Sequence, residues 1–181
     1  MSQTRTPSWK KPEGFLTGQA AVDAIEAQLG RPLSIPERIV LEEEGYTPIP
    51  YKDRKGIPTV GVGQTGKWMN KSYPEAFRAH EEDVRRIIKD YDELPLELQG
   101  QIMSAAYRGD LKPNYKWVKL FNEGKYGQAA IEFLDHEEYK NEMQKPYEEQ
   151  SGVPRRMERI YNTIRMYDPE AMMEDLLTPT L

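Results

Sequence analysis

The chain has 181 residues, 38% hydrophobic and 30% charged, a balance that folds in water and leaves room for one domain or two closely joined lobes. A formal charge of -5 and a pI near 5.3 argue against broad contact with a phosphate backbone, so nucleic acid is not an expected partner. No apolar run approaches the roughly 18 to 20 residues of a membrane span. The absence of cysteine excludes disulfides and thiolate metal sites. Residues 1–15 are polar and lack a signal-peptide core, so work outside the cytoplasm would need another agent of delivery.

After a loose lead-in over residues 1–14, Val22, Ile25 and Leu29 fall at helical spacing and stop at Gly30-Arg31-Pro32, which predicts a short amphipathic helix. A second helix is expected from Ser34, with Pro36 in its first turn and Ile39, Val40 and Leu41 inward. It ends where Gly45 follows three glutamates, so Glu44 sits on its final turn. From Tyr46 the pattern becomes extended. Pro48 and Pro50 block helix, Lys52-Asp53-Arg54-Lys55-Gly56 is a charged turn, and residues 58–63 read as the returning strand of a hairpin, the one sheet expected. Beyond Trp68 the chain reads as helical. Ser72 and Glu75 carry capping-box chemistry ahead of an apolar stripe of Phe77, Val84, Ile87, Ile88 and Tyr91. Further helices are predicted over 96–107, 113–121, 126–134 and 153–167, with 137–152 a polar connection. Asp168-Pro169 ends the bundle. The tail beyond it, with Met172, Met173, Leu176 and Leu177, is a candidate last helix.

Cleaving a glycosidic bond takes an acid that protonates the leaving oxygen and a carboxylate on the other face of the sugar. Glu44 on a helix end and Asp53 on a hairpin turn are candidates for such a facing pair, with Thr59 on the returning strand positioned to hold a water beside Asp53. The Glu-x8-Asp-x5-Thr spacing is modest evidence alone, because aspartate also favours turns for its own hydrogen bonding and glutamate is common at exposed helix ends. Burial at a helix end beside Glu42, Glu43 and the helix's negative pole is expected to favour the protonated form of Glu44. Arg155, Arg156 and Arg159 are candidates for a countering basic neighbour or for a solvated basic helix face. Trp68, Trp117 and Tyr107 are candidates to pack on sugar rings, with core packing the expected fate of at least one tryptophan. His80 and His136 stand apart from any ligand-spaced partner and read as surface or packed helix residues. Gly61-Val62-Gly63 lacks the third glycine and the setting of a nucleotide site.

The whole run from Glu44-Gly45-Tyr46 through Tyr51-Lys52-Asp53 to Thr59-Val60-Gly61-Val62-Gly63 closely resembles the active-site segment of the T-even-type phage lysozymes. A weaker resemblance extends over about residues 35–167. It takes in the capped helix after Lys71, the helix end Tyr107-Arg108-Gly109, the start Lys125-Tyr126-Gly127-Gln128 and the segment Pro154-Arg155-Arg156-Met157-Glu158-Arg159.

The resemblance implies an α+β, mostly helical fold: a hairpin lobe over 35–67, a connecting helix over 68–93 and a helical lobe over 94–168. It also implies cofactor-free hydrolysis of peptidoglycan between N-acetylmuramic acid and N-acetylglucosamine. Glu44 is then the general acid, Asp53 the base or electrostatic partner and Thr59 the residue placing the water, with Tyr51, Gln64, Tyr107 and Arg155 as candidate substrate-binding residues.

Two departures stand out. Gln64 occupies a place where many members have histidine. About 34 residues precede the catalytic helix, an N-terminal extension read as a docking or tether segment toward other virion proteins; residues 169–181 form a C-terminal tail. Two roles fit a muramidase without a signal peptide: an endolysin passing from host cytoplasm to periplasm, and an enzyme carried in the phage particle. The acidic charge and the added front segment lean toward the second. The reading of a different class is a structural or wall-binding virion protein on a lysozyme scaffold that no longer cuts.

Overall fold

Helix α2 (Ile35–Glu44) carries the site, and its start is fixed by local chemistry. The Ser34 hydroxyl accepts from the Glu37 backbone N–H while the Glu37 carboxylate accepts from the Ser34 backbone N–H, a reciprocal cap on two amides that the helix cannot satisfy itself. Val40 and Leu41, fully buried, turn its inner face to the core. The helix stops at Gly45, whose φ of 70° a residue with a Cβ adopts only under strain. The computed structural model describes residues 11–170 and Met173.

The chain then enters a three-stranded antiparallel sheet in the order β1-β2-β3: β1 (Thr47–Lys52), β2 (Pro58–Gly61) and β3 (Gln64–Thr65). Tyr51 lies opposite Thr59, and Thr59 in turn opposite Thr65. The expected hairpin is present, and β3 adds to it a short strand just beyond the expected strand end at residue 63. A 3-10 turn over Gly66–Asn70 leads to α3 (Tyr73–Ile87), which opens on a second capping box, Ser72 with Glu75. The expected connecting helix over 68–93 is therefore shorter, since Ile88 is extended and Asp90 left-handed.

The rest is helical: α4 (Leu96–Arg108), α5 (Lys116–Asn122), α6 (Tyr126–Leu134), α7 (Glu137–Met143) and α8 (Val153–Met166). Helix α7 lies inside the stretch read as a polar connection. It buries none of its residues, so no apolar periodicity marks it in the sequence. Leu41 from α2, Ile102 and Met103 from α4, and Met157, Ile160 and Ile164 from α8 share one core, and each large apolar side chain so buried contributes on the order of 1.5–3 kcal/mol. No helix of the described residues is long and apolar enough to cross a membrane.

Residues 16–34 belong to this same core, which corrects the boundary placed at 34. Helix α1 (Gly18–Leu29) buries Ala21, Val22 and Ile25 in the cluster that holds Val40 and Leu41. Leu16 pairs with Tyr46 at the mouth of β1. Residues 1–10, and Met172, Leu176 and Leu177 of the tail, lie outside the described residues.

Candidate active site

Glu44 is the last residue of α2, and its two carboxylate oxygens have separate surroundings. Oε1 accepts from Arg156 Nη2 at 2.7 Å. Oε2 lies over Gly63, where an added Cβ would come within 2.8 Å of it. The Gly-x-Gly element thus has a steric purpose, because the turn between β2 and β3 presses its backbone against the glutamate and only glycine leaves room. Arg156 reaches over from α8, with its Nε donating to the Ser104 hydroxyl at 2.9 Å and Nη2 to the Ser104 carbonyl at 3.1 Å. Next to it Arg159 grips Glu43 with two bonds of 2.6 and 2.8 Å. Of the three candidate arginines, Arg156 is the basic neighbour of Glu44 and Arg159 that of Glu43. Arg155 faces solvent, its guanidinium over the Tyr147 ring.

Asp53 is held differently. Its Oδ1 accepts from the backbone N–H groups of Lys55 and Ile57, both at 2.8 Å, and its own backbone closes the turn with Gly56 and Ile57. An aspartate in a turn that bonds the following backbone is the local chemistry expected of the residue type. It leaves Oδ2 as the oxygen for any other work.

Glu44, Tyr51, Asp53 and Arg155 line one cleft of about 670 Å³ between the hairpin and the start of α8. Burial first, and then the charges of Glu44 and Asp53, push the Tyr51 hydroxyl above its ordinary range, which puts Tyr51 within the field of both carboxylates. The walls carry Arg54, Lys55, Arg108, Arg155, Arg156 and Arg159 against Glu43, Glu44 and Asp53, six cations to three anions. A chain with net charge -5 thus concentrates positive charge at this opening.

Thr59, Gln64 and Tyr107 are not on the cleft wall. Thr59 is 4% exposed, and its hydroxyl donates to the Ile57 carbonyl at 3.0 Å. Opposite residues of an antiparallel pair share a face, so Thr59 lies on the Tyr51 side of the hairpin, with its oxygen still able to accept from a water. Gln64 is buried on another surface. Its Nε2 donates to the carbonyls of Trp68 and Lys71 at 2.8 and 2.6 Å, and its Oε1 accepts from Val62 N–H at 3.3 Å. It pins β3 to the 3-10 turn, which corrects its assignment as a substrate contact. The Tyr107 hydroxyl is buried with no hydrogen-bond partner among the described residues, and its ring packs on His80 at 4.6 Å. Burial first, then Glu44 and Glu37, push that hydroxyl upward; Tyr107 itself is half-buried and absent from the cleft wall, where a substrate-binding residue was expected.

Trp117 is a core residue, 4% exposed, donating to the Asp110 carbonyl. Trp68 packs edge-on against His80 beside a separate groove. His136 caps α7 at the surface. Among the described residues no group of three or more His, Asp or Glu side chains has the arrangement to hold a metal ion. Sequence reading missed Ser104, the hydroxyl in the apolar run 102–106, and Ser151 and Gly152 at the cleft edge. A polar residue on an otherwise apolar helix face was the available signal for Ser104.

No family model matches the chain, and no curated protein matches it in sequence. Solved structures do match. A crystal structure of a P22 lysozyme mutant superposes with a TM-score of 0.51 and 21% identity, over 71% of this chain and 94% of that one. At that identity the likeness concerns the fold, and this chain has a lysozyme-like fold, mostly helical with a small antiparallel sheet.

Proposed function

We propose that the chain is a phage muramidase that hydrolyses the β-1,4 bond between N-acetylmuramic acid and N-acetylglucosamine in peptidoglycan. The observation that carries this reading is the pairing of Glu44 and Asp53, a helix-end carboxylate and a hairpin-turn carboxylate, on one sugar-sized cleft of a lysozyme-like fold. The resemblance of residues 44–63 to the active segment of the T-even-type lysozymes supports it, and so does a basic cleft facing an anionic wall polymer.

In this mechanism the glycosidic oxygen takes a proton from Oε2 of Glu44, the oxygen not bonded to Arg156. The bond from that oxygen to the anomeric carbon breaks as positive charge grows on the sugar ring. Oδ2 of Asp53 faces that charge and orients the water that replaces the leaving sugar, receiving its proton when the water adds. Placing that water by Thr59 requires its buried hydroxyl to reach the cleft, and its bond to the Ile57 carbonyl gives it a hold on the turn that carries Asp53. Arg155 and Lys55, at the cleft rim, attract the carboxylates of the wall peptides. No metal or cofactor takes part.

Residues 16–34 are packed into the domain core, so they lend no weight to a tether on a phage particle. A host-expressed endolysin and a particle-borne enzyme would use the same cleft. The test is clearing of outer-membrane-permeabilised Gram-negative cells by the parent and by Glu44→Gln. The reading predicts clearing by the parent alone. Equal clearing by both would remove the acid from Glu44, and clearing by neither would favour a wall-binding protein that does not cut.

A further inference from the structure

The segment ahead of the catalytic helix begins its course against the residue that follows Glu44. A Cβ placed on Gly45 would lie 2.5 Å from Phe15 Cζ and 3.0 Å from the Leu16 carbonyl oxygen, so the ring of Phe15 is seated on the Gly45 backbone. One residue further, Leu16 and Tyr46 exchange both backbone bonds, N–H to carbonyl at 2.8 Å and back at 2.9 Å. Helix α1 adds a third tie, since Gln28 Nε2 donates to the Tyr46 hydroxyl at 2.7 Å. The far end of α2 is held as well. Arg31 makes two bonds to the Glu37 carboxylate, at 3.0 and 3.1 Å, and Glu26 faces Arg38 at 3.6 Å. The segment therefore clasps α2 at both ends.

We propose that residues 15–34 are a brace that sets the position of the Glu44 carboxylate, with Phe15 and Leu16 as positioning residues for the reaction. This rests on the reading of Glu44 as the acid. A helix's last residue is where backbone order is weakest, because its terminal carbonyls lack intrahelical partners. Here the terminal residue must hold its carboxylate between Arg156 on one lobe and Gly63 on the other. Arg156 fixes only the head of the side chain. The bonds of Leu16 to Tyr46 and the ring of Phe15 on Gly45 fix its root. Effective catalysis falls about a hundredfold for a displacement of roughly 1 Å, so a clasp two residues from the acid has a lever on rate without touching substrate.

The experiment uses the full chain with Phe15→Ala and, separately, Leu16→Pro, which removes one of the two amide donors. Val118→Ala, in the core of the helical lobe, serves as a control matched for loss of Tm. Two quantities are read: kcat and KM on soluble peptidoglycan fragments, and the titration of the Glu44 carboxyl carbon by 13C NMR. The brace predicts a kcat lower by about ten- to a hundredfold with KM within about twofold, a shifted acid limb of the pH profile, and a shifted Glu44 titration. The control moves none of these. If the parent cuts nothing, the muramidase reading fails, and the Glu44 titration still decides the brace. A shift in either Phe15 or Leu16 variant supports it, and a titration unchanged in both overturns it.

Discussion

The two carboxylates of the cleft are held by opposite means. Asp53 is fixed by its own turn: two backbone amides within four residues occupy one oxygen, and the rest of the protein is not needed. Glu44 is fixed from a distance of 112 residues by Arg156, and from the front by the clasp of Phe15 and Leu16 on the residues after it. A residue held locally keeps its geometry when the lobes shift, whereas one held across the cleft reports on them. Glu44 is therefore the part of the site that depends on the whole fold, and Asp53 the part that any intact hairpin would supply.

The largest test of that contrast is chemical. Glu44→Gln keeps the shape and an acceptor for Arg156 but removes the proton, and activity should fall by about 10²- to 10⁴-fold with the circular dichroism spectrum unchanged. Asp53→Asn should cost about 10²-fold or more in kcat while its amide oxygen still serves the turn, and Asp53→Ala should add a local loss of about 1 kcal/mol, read by urea unfolding. Equal stability of the two Asp53 variants would contradict the turn-anchoring role.

Arg156→Met removes the long-range tie. Arg156 and Glu44 are 12% and 20% exposed at the side chain, so breaking their pair leaves a mostly desolvated carboxylate, at a cost of about 2 kcal/mol together with a loss of kcat. Arg159→Ala, at a guanidinium half exposed, should cost under about 1 kcal/mol, because Glu43, itself only 11% exposed, keeps Arg156 Nε at 3.8 Å. Similar losses from both would erase the distinction between the pairs.

Acid should weaken the ties around α2. Burial would raise the Glu37 carboxyl, but Arg31 and the Ser34 amide outweigh it and hold it below its ordinary value. Glu142, bonded to Lys145 and to Ser151 N–H at the cleft edge, is brought down to about 2. Lowered carboxyls contribute stability that is present above the ordinary carboxylate range and lost as pH falls through their folded values. The urea midpoint should hold steady down to about pH 5 and decline toward about pH 2, and Glu37→Gln should flatten that decline. The smallest effect is expected at Tyr107→Phe, which removes a buried hydroxyl without a partner and should leave stability within about 0.5 kcal/mol or raise it.

Much of this was legible in the sequence because its determinants are local. The Ser34 and Ser72 capping boxes, the glycine stops at Gly30, Gly45 and Gly109, and the charged turn around Asp53 each act within a few residues, and the elements they bound are in place. What stayed hidden depends on contacts across the chain. The resemblance makes Gln64 and Tyr107 substrate-binding candidates, but the carbonyls of Trp68 and Lys71 hold the one and the ring of His80 packs on the other, off the cleft wall. The choice of Arg156 over Arg155 as partner of Glu44 is a matter of which face of α8 meets α2, and three closely spaced arginines leave that open. The front segment read as an appendage because nothing local in Phe15 and Leu16 announces a strand partner 30 residues away.

Reducing ends released from purified sacculi, with the newly exposed sugar identified, test the central claim most directly. The account predicts that the parent releases reducing muramic acid ends and that Glu44→Gln, folded to the same degree, releases none. Release of the same ends at the same rate by Glu44→Gln, or none by the folded parent, would contradict it.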